Sequence, residues 1–489
     1  MSVGAKNVTP GSEASQPEVT ERYRWVSLGV VLVGTLMVVL DTTIVNVALP
    51  EIRDSLNAGD GVEWIVTAYL LAVAVSQPAT GWLADRYGRK RVFVWSLACF
   101  TVASLACALA PSLGVLVVFR VLQGLGGGAM MPVGMAIVFE VFPPDRRGQA
   151  MGIWGVAAMA GPTIGPTLGG YLVTSVSWHW LFLVNVPMGA LGVVLALRFL
   201  RDLGHRDERS LDLLGLGLGA SGLALTLLGV SQSPQWGWGS PATIASITVG
   251  VVLLGLFVAQ ELRVDDPVVE LRIFTVPAFA ISMAVILFTA AAQYTRLVFI
   301  PLELQDIRGY TALRVGVLLI PSALATAAAM PLGGRLMDRI GPRIPVVTGC
   351  CFMAIAAVAL GVVRVGTPIG LIVAVLGLQG FGMGLTSAPA TVAGMNALSG
   401  RFVAQASAMR SLSTQVAGAT AIAITSTVVA TRMGDNPSPA HAQSAYNSAF
   451  LIAAAGLVVA IALALRLPKG REEAPGEVDT GHAAALALE

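Results

Sequence analysis

The chain has 489 residues, of which 55% are hydrophobic and only 12% charged, and its mean hydropathy is +0.77. Soluble domains carry roughly 25% charged residues, so this composition excludes an ordinary water-soluble globule and points to a polytopic membrane protein. The formal net charge is +2, and the charges are segregated along the chain rather than gathered into a patch, so no nucleic acid is expected as a partner.

Residues 1–20 are polar, include Pro10 and Pro17, and lack an apolar signal core; the first spanning helix is expected to direct insertion. Fourteen apolar spans follow, with approximate cores at 25–47, 62–84, 92–110, 113–139, 149–172, 179–199, 212–232, 241–260, 277–301, 314–334, 345–364, 368–395, 402–430 and 447–466. Each approaches the ~20 residues that a helix needs to cross a hydrocarbon layer. Residues 468–489 form a second polar tail. Between the second and third spans lies Gly81–Arg91, GWLADRYGRKR, with five charges in one tight loop; Gly334–Arg343, GRLMDRIGPR, has a related pattern.

Charge asymmetry tests the count. With both termini placed in the cytoplasm, the tails and inner loops hold 23 of the 30 Lys and Arg. The opposite side holds five: Arg53, Arg308, Arg314, Arg364 and Arg432. Arg120 and Arg296 stay within spans. Trp64, Trp178, Trp180, Trp236 and Trp238 fall near the outer ends of spans, where aromatic rings favour the interface. Cys99, Cys107, Cys350 and Cys351 all lie in apolar runs without metal-ligand spacing, and the four histidines are scattered, so no metal, cofactor or enzymatic centre is expected.

The chain repeats itself. Asp85 and Asp338 lie 253 residues apart, and each is followed by Arg, one variable residue and Gly. Gln123–Gly128 resembles Gln379–Gly384 at an offset of 256; Pro132 and Pro389, and Arg146 and Arg401, follow at 257 and 255. The offset exceeds six spans by about two more, so the predicted plan is an all-α protein. Two six-helix bundles, 21–203 and 271–467, flank a two-helix insert, 204–270, and the tails are cytoplasmic. Parallel halves of this kind are a transporter plan with the substrate at the midplane.

Five stretches carry a more specific resemblance: LDTTIVNVALP at 40–50, the 81–91 loop, RVLQGLGGG at 120–128, GPTIGPTLGG at 161–170 and WHWLFLVNVPMG at 178–189. Together, in this order, they resemble the fourteen-helix drug:proton antiporters of the major facilitator superfamily. His179 and Arg296 depart from that pattern. The resemblance implies a monomeric exporter in the cell membrane that exchanges protons for amphiphilic or cationic small molecules; a lipid or endogenous-metabolite exporter on the same scaffold is the alternative. It also implies that the loop at Gly81, Asp85, Arg86, Gly88 and Arg89 latches the cytoplasmic ends of the two halves. Asp338 and Arg339 repeat the pattern in the second half. Gly161, Gly165, Pro166, Gly169 and Gly170 form the antiporter-associated motif.

The residues themselves narrow the chemistry. Asp41 stands 16 residues beyond Trp25, about 24 Å along its helix. A carboxylate at that depth is either functional or held by a buried partner. Arg120 reaches a matching depth in the fourth span and is its natural partner, as the proton-coupling pair or as a static lock between helices. Gln123 shares the face of Arg120. Thr42, Asn46, Gln123, Tyr294, Arg296 and Gln379 are the candidate cavity lining. Arg296 either meets an anionic group or snorkels to the outer surface. Gly161, Gly165 and Gly169 share one helix face and serve gating or simple close packing. Glu140 is expected to pair with Arg146 or Arg147.

Overall fold

A computed structural model of the chain describes residues 20–56, 59–202, 211–264, 266–399, 402–433 and 438–469. Arg401 and nearly all of both predicted tails lie outside the described residues, as do the side chains of Pro162 and Pro166. Every regular element among the described residues is helical, as a bilayer requires of long apolar runs that must satisfy their own backbone hydrogen bonds. We number the long helices α1 Glu21–Ser55, α2 Trp64–Tyr87, α3 Arg89–Ala108, α4 Leu113–Val141, α5 Arg147–Ser175, α6 His179–Phe199 and α7 Leu213–Trp236. The series continues with α8 Pro241–Glu261, α9 Pro277–Asp306, α10 Ala312–Ile340, α11 Arg343–Leu360, α12 Ile369–Asn396, α13 Val403–Met433 and α14 Pro439–Ala464. Hydroxyl and carboxylate caps start several of them. Thr20, Asp212, Ser240, Thr311 and Ser438 each accept a backbone N–H from the first turn.

Fourteen spans were expected, and thirteen described helices are long and apolar enough to cross a membrane. The difference is α5. It has 29 residues, but its glycines, prolines and threonines dilute its apolar content.

The packing follows the repeat. On one side α1 packs on α4, α5 and α6, while α4 also packs on α2 and α3. On the other, α9 packs on α12, α13 and α14, while α12 also packs on α10 and α11. Glycines make this possible in corresponding ways. A Cβ on Gly124 would lie 2.6 Å from the Tyr69 carbonyl oxygen of α2, and one on Gly380 would lie 2.3 Å from the Ser322 carbonyl oxygen of α10. Gly126 and Gly382 meet α3 and α11 in the same way. The two charged loops also reverse alike, on Gly88 at φ 92° and Gly341 at φ 82°, a region that favours glycine. The two sets of helices meet along α5 with α10 and along α2 with α13. The α7–α8 pair packs against α2 and α13 through α7.

Trp180 and Trp236 are exposed, in keeping with interfacial positions, but Trp178 is buried. Its Nε1 donates to Ser55 Oγ at 3.0 Å and its ring stacks on His179 at 3.8 Å. It closes the end of α1 instead of reaching an interface.

Candidate functional site

The structure brings Asp41 and Arg120 together inside the first set of helices. Arg120 Nη1 donates to Asp41 Oδ2 at 2.6 Å, and the two side chains are 1% (Arg120) and 0% (Asp41) exposed. Asp41 Oδ1 accepts from Gln123 Nε2 at 2.9 Å and from Asn185 Nδ2 at 3.0 Å. Arg120 is in turn held by the Ile65 carbonyl at 3.0 Å and Gln123 Oε1 at 2.7 Å, and its guanidinium stands 4.0 Å over the Tyr69 ring. Ser104 Oγ accepts from both Gln123 and Asn185. Five helices, α1 to α4 and α6, thus contribute to one sealed polar cluster in an apolar surround. A buried charge is tolerated only when paired and hydrogen-bonded, and here both oxygens of the carboxylate have donors.

Sequence reasoning missed Asn185, Ser104 and Tyr69. Asn185 carried a signal, as a lone amide in the apolar stretch 178–189. Ser104 and Tyr69 carried none, because small hydroxyls and aromatic rings are ordinary in spanning helices. Gln123 belongs to this cluster, with both amide atoms engaged, and not to an open cavity wall.

The α5 stripe lies directly against α1. A Cβ on Gly161 would come 2.2 Å from Val39 Cγ1, on Gly165 2.1 Å from Thr43 Oγ1, and on Gly169 2.9 Å from Ile44 Cγ1. Thr43 Oγ1 donates to the Gly161 carbonyl at 3.1 Å. The contact flanks Asp41 on both sides along α1. Gly170 differs: nothing stands within 4 Å of its Cβ position.

At the face that carries the two charged loops, the two sets of helices are joined. Asp338 Oδ1 and Oδ2 accept from the amides of Gly148 and Gln149 at 2.9 and 2.8 Å, so the carboxylate caps the N-terminus of α5. Arg147 Nη1 donates to Asn396 Oδ1 at 2.5 Å. Gly148 and Gly334 touch backbone to backbone. The first loop approaches α13, where Gln405 Nε2 reaches Asp85 Oδ2 at 3.5 Å and packs on Gly81. A Cβ on Gly88 would run into Asp202. Arg89 turns inward to Glu140 at 3.2 Å and to the Ala136 carbonyl. Glu140 therefore meets Arg89, where Arg146 or Arg147 was expected. Arg146 pairs with Glu21, and Arg147 folds back on the carbonyls of Phe139 and Phe142. Arg86 and Arg339 are exposed and make no hydrogen bond or ion pair among the described residues. Deeper along the seam, Gln77 on α2 meets Ser411 and Gln415 on α13 at 3.4 and 3.0 Å.

The remaining candidates lie outside the Asp41 cluster. Asn46 is exposed and donates to the Thr42 carbonyl, and Thr42 Oγ1 donates to the Val39 carbonyl. Tyr294 is half-buried, its ring against Gly418 of α13. Arg296 and Gln379 are buried, 9% and 2% exposed, on α9 and α12.

Two helical sets joined along paired seams, with a sealed ion pair in one of them, fit the two-halved plan of membrane transporters. The family described as Major Facilitator Superfamily matches residues 31–422 and 283–488, and the chain belongs to it. It is 36% identical over 399 residues to the multidrug resistance protein Stp of Mycobacterium tuberculosis (strain CDC 1551 / Oshkosh), covering 81% of this chain and 74% of that protein. It is 31% identical over 439 residues to the tetracenomycin C resistance and export protein of Streptomyces glaucescens, covering 87% and 80%. In fold it is similar to the human organic anion transporter MFSD10, with a TM-score of 0.64 at 18% identity over 90% of this chain and 99% of that one. It is likewise similar to the proton:xylose symporter XylE bound to 6-bromo-6-deoxy-D-glucose, with a TM-score of 0.62 at 13% identity over 89% and 95%.

Proposed function

We propose that the chain is a proton-coupled exporter, an antiporter of amphiphilic or cationic small molecules such as drugs, working by alternating access. It acts as a monomer in the cell membrane, with fourteen spans and both termini in the cytoplasm. Residues 21–203 and 271–467 are the two rocking bundles and 204–270 the two-helix insert. The observation that carries this reading is the Asp41–Arg120 pair, fully buried and 2.6 Å apart, with Asp41 on α1, the helix that α5 clasps. An ionisable residue within a membrane calls for a functional reason, and a pair that a helix movement can open is suited to exchanging a proton. The names of the relatives, multidrug resistance and tetracenomycin C resistance and export, support drugs as the cargo.

In this reading the charged-loop face is cytoplasmic, and its inter-bundle contacts make this conformer closed inward and facing outward. As the bundles rock, a shift of α1 against α4 within the first bundle, passed on through the α5 contact, separates Asp41 from Arg120; Asp41 takes a proton from the outer side, and binding of a cationic substrate favours its release. Thr42, Asn46 and Tyr294 line the path, while Gly81, Asp85, Gly88, Asp338 and Arg147 hold the inner gate.

The test is efflux from proteoliposomes under an imposed pH gradient across a compound panel, together with proton release on adding substrate to purified protein. The expected result is gradient-dependent transport by the wild type and neither transport nor proton release by Asp41→Asn. Equal proton release from both proteins removes Asp41 from coupling.

A further inference from the structure

The first bundle pairs its buried Arg120 with a carboxylate, and among the described residues Arg296 of the second bundle has none. Arg296 stands 255 residues after Asp41, within the 253–257 offset of the repeat, on α9, the counterpart of α1. The counterpart of Arg120 is Leu376, while Gln379 keeps the place of Gln123. The carboxylate of the pair is thus replaced by a cation and the cation by an apolar residue.

Among the described residues Arg296 makes no ion pair and one hydrogen bond, from Nη1 to Ser322 Oγ at 3.3 Å; its Nε has no acceptor. The residue as a whole is 9% exposed, with its Nε buried. Ser322 Oγ also lies 2.8 Å from the Cβ position of Gly380, which places the head group of Arg296 at the seam of α9, α10 and α12, beside the residue next to Gln379. Gln379 is 2% exposed and its Oε1 has no hydrogen-bond partner among the described residues. A guanidinium cannot relieve its burial by losing a proton, and an unpaired buried charge is costly. An anion at this seam would complete the arrangement. Arg296 then supplies a fork of donors, and Gln379 supplies one more when its amide turns its NH₂ toward the ligand.

We propose that Arg296, Ser322 and Gln379 form a monoanion site that receives a carboxylate or phenolate carried by the exported compound. Within the exporter reading, on which it rests for the source of the anion, this narrows the cargo to amphiphiles bearing an acid group, zwitterionic where a cationic group is what favours proton release at Asp41. Inorganic chloride shares the chemistry and is the competing source.

The test compares N-dansyl-phenylalanine with its methyl ester, two probes with the same apolar body, by fluorescence titration of the full chain in lipid nanodiscs in chloride-free sulfate buffer. The acid is expected to bind about tenfold more tightly than the ester, in line with charge-assisted hydrogen bonds to a buried cation. Arg296→Gln should bring the ratio to about one while ester binding persists, which also shows that the variant folds. Arg296→Lys should keep part of the preference, and added chloride should weaken the acid and not the ester. A wild-type ratio near one, or a preference that survives in Arg296→Gln, overturns the site. Chloride that stabilises the wild type but not Arg296→Gln, with no preference for the acid, assigns the anion to salt and overturns the cargo reading. Binding needs no gradient, so absence of proton-driven efflux in proteoliposomes fails the exporter reading separately.

Discussion

Replacing Asp41 by Asn probes the sealed cluster most directly. The change removes the charge and keeps the shape. The oxygen of the substituted amide can still accept from Gln123 and Asn185, but its NH₂ would face Arg120 Nη1, donor against donor, at what is now a 2.6 Å contact. Arg120 is left buried and uncompensated, at 1% side-chain exposure. Breaking a buried pair from one side costs about 3–5 kcal/mol. The repeat offers the repair, since Leu376 occupies the place of Arg120 in the second half. In Asp41→Asn/Arg120→Leu the orphaned cation is gone, and Gln123 Oε1, freed from Arg120, can accept from the new amide. Denaturant unfolding of the four proteins in mixed micelles should give a coupling energy of about 2–3 kcal/mol, with the double variant more stable than Asp41→Asn alone. Gradient-driven efflux should be absent from both, because stability returns and the exchangeable proton does not. Additive single-variant losses, with coupling below about 0.5 kcal/mol, would refute the electrostatic account of the cluster.

Three further outcomes are expected. Gly165→Ala should cut efflux at equal membrane abundance, because its Cβ falls 2.1 Å from Thr43 Oγ1, whereas Gly170→Ala, with open space at that position, should transport like the wild type. Asp338→Asn removes the charge from the α5 N-terminus and mismatches one of two amide bonds; a loss of about 1.5–3 kcal/mol from this face should widen spin-label distances across it, while Arg339→Gln leaves them unchanged. Single cysteines replacing Ala58, Arg206 and Asn436 in a background without native cysteines should label from outside, inside and outside respectively; outside labelling at 206 would reverse the proposed topology.

Composition and periodic charge determined a great deal before any coordinate. Long uncharged runs can only be helices in lipid, and an offset near 255 that recurs from Asp85 to Pro389 can only reflect duplicated halves. The matched depths of Asp41 and Arg120 followed from helix rise alone. The tertiary structure decided which side chains share a pocket. Asn185 reaches Asp41 from 144 residues away because α6 turns that face toward α1, and no apolar run records a helix's rotation about its axis. The same freedom sent Glu140 to Arg89 and buried Trp178. It also left Arg296 beside the Ser322 hydroxyl without a carboxylate. The sequence placed a charge in α9, and only the packing of α9 on its neighbours decides that no described residue balances it.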